Sequence, residues 1–157
     1  MEIYIYKQHV FKSKLDVTWA IFFDLARWDW TYLPQPVEGW QPEFYVEFFC
    51  GHSECEPYHK LLITVRDFNS IDQFADDPCM DHGYNIEEKI YADSGAAFGS
   101  SPEVTYWEIV HGPGGGEEDV PMRESNYKSL WTTAMRDASL LKSYEFKGNI
   151  ALGRIRE

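Results

Sequence analysis

Residues 13–44, SKLDVTWAIFFDLARWDWTYLPQPVEGWQPEF, constrain the fold more than any other stretch of this chain. Leu15, Trp19, Phe22, Phe23, Ala26 and Trp30 recur at helical spacing, which predicts a helix over residues 14–28 with one broad apolar face. Trp30 to Leu33 follow as a short aromatic strand, closed by Pro34 and Pro36. The next strand, Trp40 to Phe49, carries Pro42-Glu43-Phe44 near its start. This order places an acidic residue at the opening of a strand soon after an amphipathic helix.

The rest of the chain extends the alternation. Ile3 to Val10 and Lys60 to Phe68 have strand patterning, and the segment CGHSECEPYH joins Phe49 to Lys60 as a hairpin-like connection. A short helix is expected over Ile71 to Ala75, ended by Asp-Asp-Pro. Ile86 to Ala92 and Val104 to His111 are further strand candidates, separated by a Gly/Ser/Pro turn at residues 94–102. GPGGGEEDVP makes 112–121 a flexible loop, and Tyr127, Leu130, Trp131, Ala134, Ala138 and Leu141 mark a long closing helix with Gly148 as its stop. At 157 residues this reads as one domain, 1–157, of α/β class. A mixed central sheet is flanked by an N-terminal and a C-terminal helix.

No apolar run approaches the roughly 18 to 20 residues that span a bilayer, so no membrane partner is expected. Three cysteines with no export-like segment point to a reducing, cytoplasmic compartment. The net charge of −12 is concentrated: residues 61–122 hold 2 basic against 13 acidic side chains, while residues 123–157 hold 7 against 4. Such a middle suits poorly a phosphate backbone, which binds by exchanging counterions for Lys and Arg. It suits solubility, or a surface that imitates nucleic acid toward a basic protein cleft.

The stretch SKLDVTWAIFFDLARWDWTYLP, continued by WQPEF, resembles a group of small PD-(D/E)XK, restriction-endonuclease-like proteins common in phage and bacterial genomes. LWTTAMRDAS is similar to their closing helix. The resemblance implies a restriction-endonuclease-like layered fold and a site in which two strand carboxylates hold Mg²⁺ or Mn²⁺. The metal activates water and a Lys positions the nucleophile. Residue by residue, the helix acid falls on Asp16 and the Pro-acid on Glu43. The acid-x-Lys strand falls on Leu62 to Asp67, with Thr64 in place of the acid and Arg66 in place of the Lys. Thr is a neutral, weak ligand, and Arg does not readily release a proton. Asp16, Glu43, Thr64 and Arg66 are therefore family-equivalent catalytic positions in a degenerate motif. Glu47 shares the strand face of Glu43, about 13 Å along it.

Three functions follow. The leading one is a degenerate nuclease-like protein acting in nucleic-acid transactions or phage–host conflict. It would work as an acidic inhibitor that mimics DNA on a partner with a basic nucleic-acid-binding surface, with direct nucleic-acid binding left open. The second is an active metal-dependent DNA nuclease using Asp16, Glu43 and a third ligand. The third is a small-molecule binder with an α+β helix-grip fold, whose aromatics would line a cavity beneath the last helix. Separately, Cys50, His52, Cys55 and His59 offer two thiols and two imidazoles to a Zn²⁺ ion, against the simpler reading of a polar surface hairpin.

Overall fold

The computed structural model describes residues 1–37, 39–51, 53, 55, 57–82, 92–111 and 114–155. The chain opens with a hairpin, β1 (Glu2–Tyr6) and β2 (His9–Phe11), where a single strand over Ile3–Val10 was expected. Lys7 and Gln8, with φ of 47° and 63°, both take the left-handed conformation that a tight two-residue hairpin turn requires. Neither residue is the Asn or Gly that normally announces it.

Helix α1 (Lys14–Ala26) starts at Ser13, whose Oγ accepts the Asp16 amide N–H at 3.0 Å. It stops where Arg27 turns left-handed, with Arg27 N–H on Asp24 O and Trp28 N–H on Phe23 O, a Schellman closure without glycine. The main sheet follows in the order β3 (Asp29–Tyr32), β4 (Phe44–Phe49), β5 (Tyr58–Val65), β6 (Ser94–Phe98), β7 (Thr105–His111) and β8 (Gly114–Glu118). Neighbours are antiparallel except β5 and β6, whose parallel pairing makes the sheet mixed. A second sheet, ordered β10-β2-β1-β9, is completed by β9 (Ser143–Glu145) and β10 (Gly153–Arg154).

Between β8 and β9 lie the short α2 (Val120–Arg123) and the long α3 (Tyr127–Leu140). The protein is thus mixed α/β, mostly sheet with few helices, in two sheets with no barrel among the described residues.

Both long helices cover one face of the main sheet. Trp19, Phe22 and Phe23 of α1 and Trp131, Ala134 and Ala138 of α3 share one core with Phe44, Val46, Phe48, Ile63, Phe98 and Trp107. Asp16 to Phe23 are all buried, so α1 sits within the structure rather than on it. The space under α3 is filled by these rings, with the Trp19 and Trp131 centroids 4.5 Å apart. The helix-grip reading expected a cavity there.

The opposite sheet face carries Trp40, Leu62 and Ala97, capped by 3₁₀ turns at Ile71–Phe74 and Pro78–Asp81. Two segments differ from expectation. Ser94–Phe98, expected within a turn, is a fully buried strand, and a Cβ on Gly95 would stand 2.7 Å from Cys79 O and 3.2 Å from the Trp40 ring. Gly114–Glu118, expected within the loop 112–121, pairs with β7 instead. The strand expected over Ile86–Ala92 lies outside the described residues except for Ala92, as do Gly112 and Pro113.

Candidate functional site

The β4–β5 pair carries a polar cluster at each end. At the opening of β4, Glu43 is 2 % exposed, and its Oε1 accepts the Val65 amide at 2.8 Å and Arg66 Nη1 at 2.5 Å. Glu43 Oε2 lies 3.5 Å from Lys12 Nζ. Asp16, in the first turn of α1 and equally buried, accepts the Tyr32 hydroxyl on Oδ2 at 2.6 Å. Arg66 continues to Asp77, with Nε 3.4 Å from Oδ2.

Burial raises the Asp16 pKa above the ordinary carboxylate range, against the opposing pull of Tyr32, Lys12, Ser13 and Arg66. Glu43 is raised for the same leading reason, against Lys12, the Val65 amide and Arg66. Tyr32 is raised by burial and then by the Asp16 charge.

The structure therefore gathers Asp16, Glu43 and Arg66, and adds Lys12, which sequence spacing did not single out. Thr64 does not join them. Its hydroxyl accepts Trp40 Nε1 at 2.7 Å on the other sheet face. Strand alternation would give Thr64 and Arg66 one face, but β5 ends at Val65, so Arg66 is freed from the pleat and turns toward Glu43. Glu47 is held by the Tyr45 hydroxyl at 2.7 Å.

This arrangement fits Mg²⁺ poorly. The ion needs near-octahedral oxygen ligands, whereas both oxygens of Glu43 already face cations and the second strand ligand is missing. The cluster can neutralise its own buried charge and tie α1, β3, β4 and β5 together.

At the other end, Cys50 follows β4, Cys55 lies in the connection, His59 is in β5 and His111 closes β7. One donor atom from each of the four lies within 4.8 Å of all the others. His111 Nδ1 is 3.7 Å from Cys50 Sγ and 3.1 Å from Cys55 Sγ. The sequence set proposed His52, which lies outside the described residues, and it missed His111. No local signal could have found His111, because only the sheet brings β7 back to the β4–β5 connection. No family model matches this chain, and neither does any curated protein or solved structure.

Proposed function

We propose that this is a non-cleaving, restriction-endonuclease-like protein that acts by binding, as an acidic inhibitor occupying the basic cleft of a nucleic-acid-binding protein. The observation that carries the first half is the saturation of Glu43. A carboxylate that accepts an amide and an Arg on one oxygen and faces a Lys on the other is a structural anion. The family-equivalent second acid is Thr64, engaged by Trp40.

The second half rests on charge. Asp67, Asp72, Asp76 and Asp81 are exposed around the two 3₁₀ turns, where Arg66 is the local base and is committed to Glu43 and Asp77. A surface of this kind attracts a basic cleft at long range and repels a phosphate backbone.

Duplex DNA and RNA incubated with the protein and Mg²⁺ or Mn²⁺ are expected to stay intact. Cleavage that disappears in Glu43→Ala would overturn the non-cleaving reading. For the binding half, the protein is titrated into complexes of bacterial basic-cleft proteins with a labelled duplex. Release of the duplex at low salt, fading steeply as salt rises, is the expected result. No release from any complex at low salt, or release indifferent to salt, counts against it.

A further inference from the structure

We infer that Cys50, Cys55, His59 and His111 bind one zinc ion in a closed, structural site at the end of the main sheet. The inference is independent of the proposed inhibitor function. Tetrahedral zinc with bonds of about 2.3 Å to sulfur and 2.0–2.1 Å to nitrogen sets its ligand atoms about 3.3–3.8 Å apart. The four donors here lie within 4.8 Å of one another, so the cluster is one small contraction from that geometry.

The nitrogens are prepared in the way metal-bound imidazoles usually are, with a carboxylate on the far side of each ring. His59 Nδ1 donates to Asp93 Oδ2 at 3.2 Å, and Asp93 is itself fixed by the Lys60 amide at 2.7 Å. That leaves His59 Nε2 turned toward the thiols, buried and, among the described residues, without a geometrically formed hydrogen bond. A buried ring nitrogen in that condition loses its hydration and gains nothing in return unless an ion takes it.

In His111 the roles of the nitrogens are reversed: Nε2 is paired with Glu118 Oε2, and Nδ1 faces the two thiols. Arg123 holds Glu118 in place, with Nε on Oε1 at 2.8 Å, and its Nη2 lies 3.1 Å from His111 Nε2. The two rings stand nearly perpendicular, 4.7 Å between centroids, as neighbouring ligands of a tetrahedron can.

Two sulfurs and two nitrogens with no oxygen ligand select zinc over Mg²⁺ or Ca²⁺, and four protein ligands leave no position for substrate. As each metal–sulfur bond forms its thiol releases a proton, so two thiolates balance the dication and up to two protons leave. The product clamps the β4–β5 connection to the end of β7.

The test is metal content and cobalt spectroscopy on the full chain, reconstituted anaerobically under reductant with Zn²⁺ or Co²⁺. One zinc per chain is expected, and the Co²⁺ form should show the intense visible bands of tetrahedral cobalt with a thiolate charge-transfer band. Cys55→Ser and His111→Ala lose stoichiometric metal, whereas His52→Ala keeps it. Asp93→Asn keeps the cobalt spectrum and weakens zinc about 10- to 100-fold. Sub-stoichiometric zinc in the wild type, an octahedral cobalt spectrum, or retention of metal by His111→Ala with its loss in His52→Ala would each overturn the assignment. Circular dichroism of every variant separates lost metal from lost fold.

Discussion

One strand pair, β4–β5, presents two polar clusters about 20 Å apart along the strands, and they are built on opposite principles. At the Glu43 end, the charge is already balanced: an acid that a nuclease would offer to a metal is held by Arg66, Lys12 and a backbone amide. At the Cys50 end, four soft or borderline donors face one another, and the carboxylates have withdrawn to the outer side of the imidazoles. What packs beside a buried carboxylate decides whether its oxygens remain open to a metal. Three donors that lie close in sequence, Cys50, Cys55 and His59, can gain a fourth through the sheet alone.

The contrast breaks most visibly if zinc is removed. Binding only the folded chain, zinc at a thousandfold excess over its dissociation constant adds about 4 kcal/mol. For a chain of this size that corresponds to a fall of about 10 °C in Tm on chelation. Thermal unfolding of zinc-loaded and chelator-stripped protein measures it. Mg²⁺ added to the stripped protein is expected to restore nothing. A Tm unmoved by chelation would remove the structural zinc, and recovery by Mg²⁺ would place the metal at the Glu43 end instead.

Arg66→Met probes the other end. Removing one partner of a fully buried ion pair costs about 3–5 kcal/mol. Here Arg66 is 36 % exposed and Lys12 remains, so about 2 kcal/mol is expected. The loss should also depend on pH. Without Arg66 the Glu43 carboxyl titrates still further above its unfolded value. The variant is then weakest near neutrality and recovers toward wild-type stability as acid protonates Glu43. Denaturant unfolding across pH checks this, and an Arg66→Met variant as stable as wild type at neutral pH would mean that Glu43 does not depend on its cation.

How much of this was legible follows from the range of each signal. The period of Leu15, Trp19, Phe22 and Phe23 was enough to place α1, and alternation located β4, β5 and β7. β6 was hidden because Ser94, Gly95 and Ala96 look like turn residues. Gly95 is small because the Pro78–Asp81 turn and Trp40 lie directly on it, while Ala96 packs on the other face in the helix-covered core. β8 was hidden because three glycines give no side-chain pattern to alternate. Of the sites, the grouping of Asp16, Glu43 and Arg66 was what the nuclease-like resemblance of residues 13–44 implied, not something spacing alone gave. The direction of Arg66 depended on where β5 ends, and the participation of Lys12 and His111 depended on contacts made across the fold. Local pattern reports faces and ends; it does not report which distant element arrives there.

The smallest effect concerns Asp16, and its sign separates a structural acid from a metal ligand. Burial raises its pKa in the folded state, so the folded protein holds the proton more tightly than the unfolded chain. The contribution to stability is full below the unfolded aspartate pKa and is lost as pH rises through the folded value. Asp16→Asn keeps an oxygen to accept from the Tyr32 hydroxyl and removes the charge that burial opposes. The variant is therefore expected to gain slightly on wild type at neutral pH, with the difference closing as pH falls toward the carboxylate range. Thermal unfolding of both proteins over that span, with and without Mg²⁺, provides the reading. If Asp16 were a working ligand, Mg²⁺ would stabilise the wild type alone and reverse the order at neutral pH. A small gain indifferent to Mg²⁺ leaves Asp16 as a buried partner of Tyr32, on the same footing as its saturated neighbour Glu43.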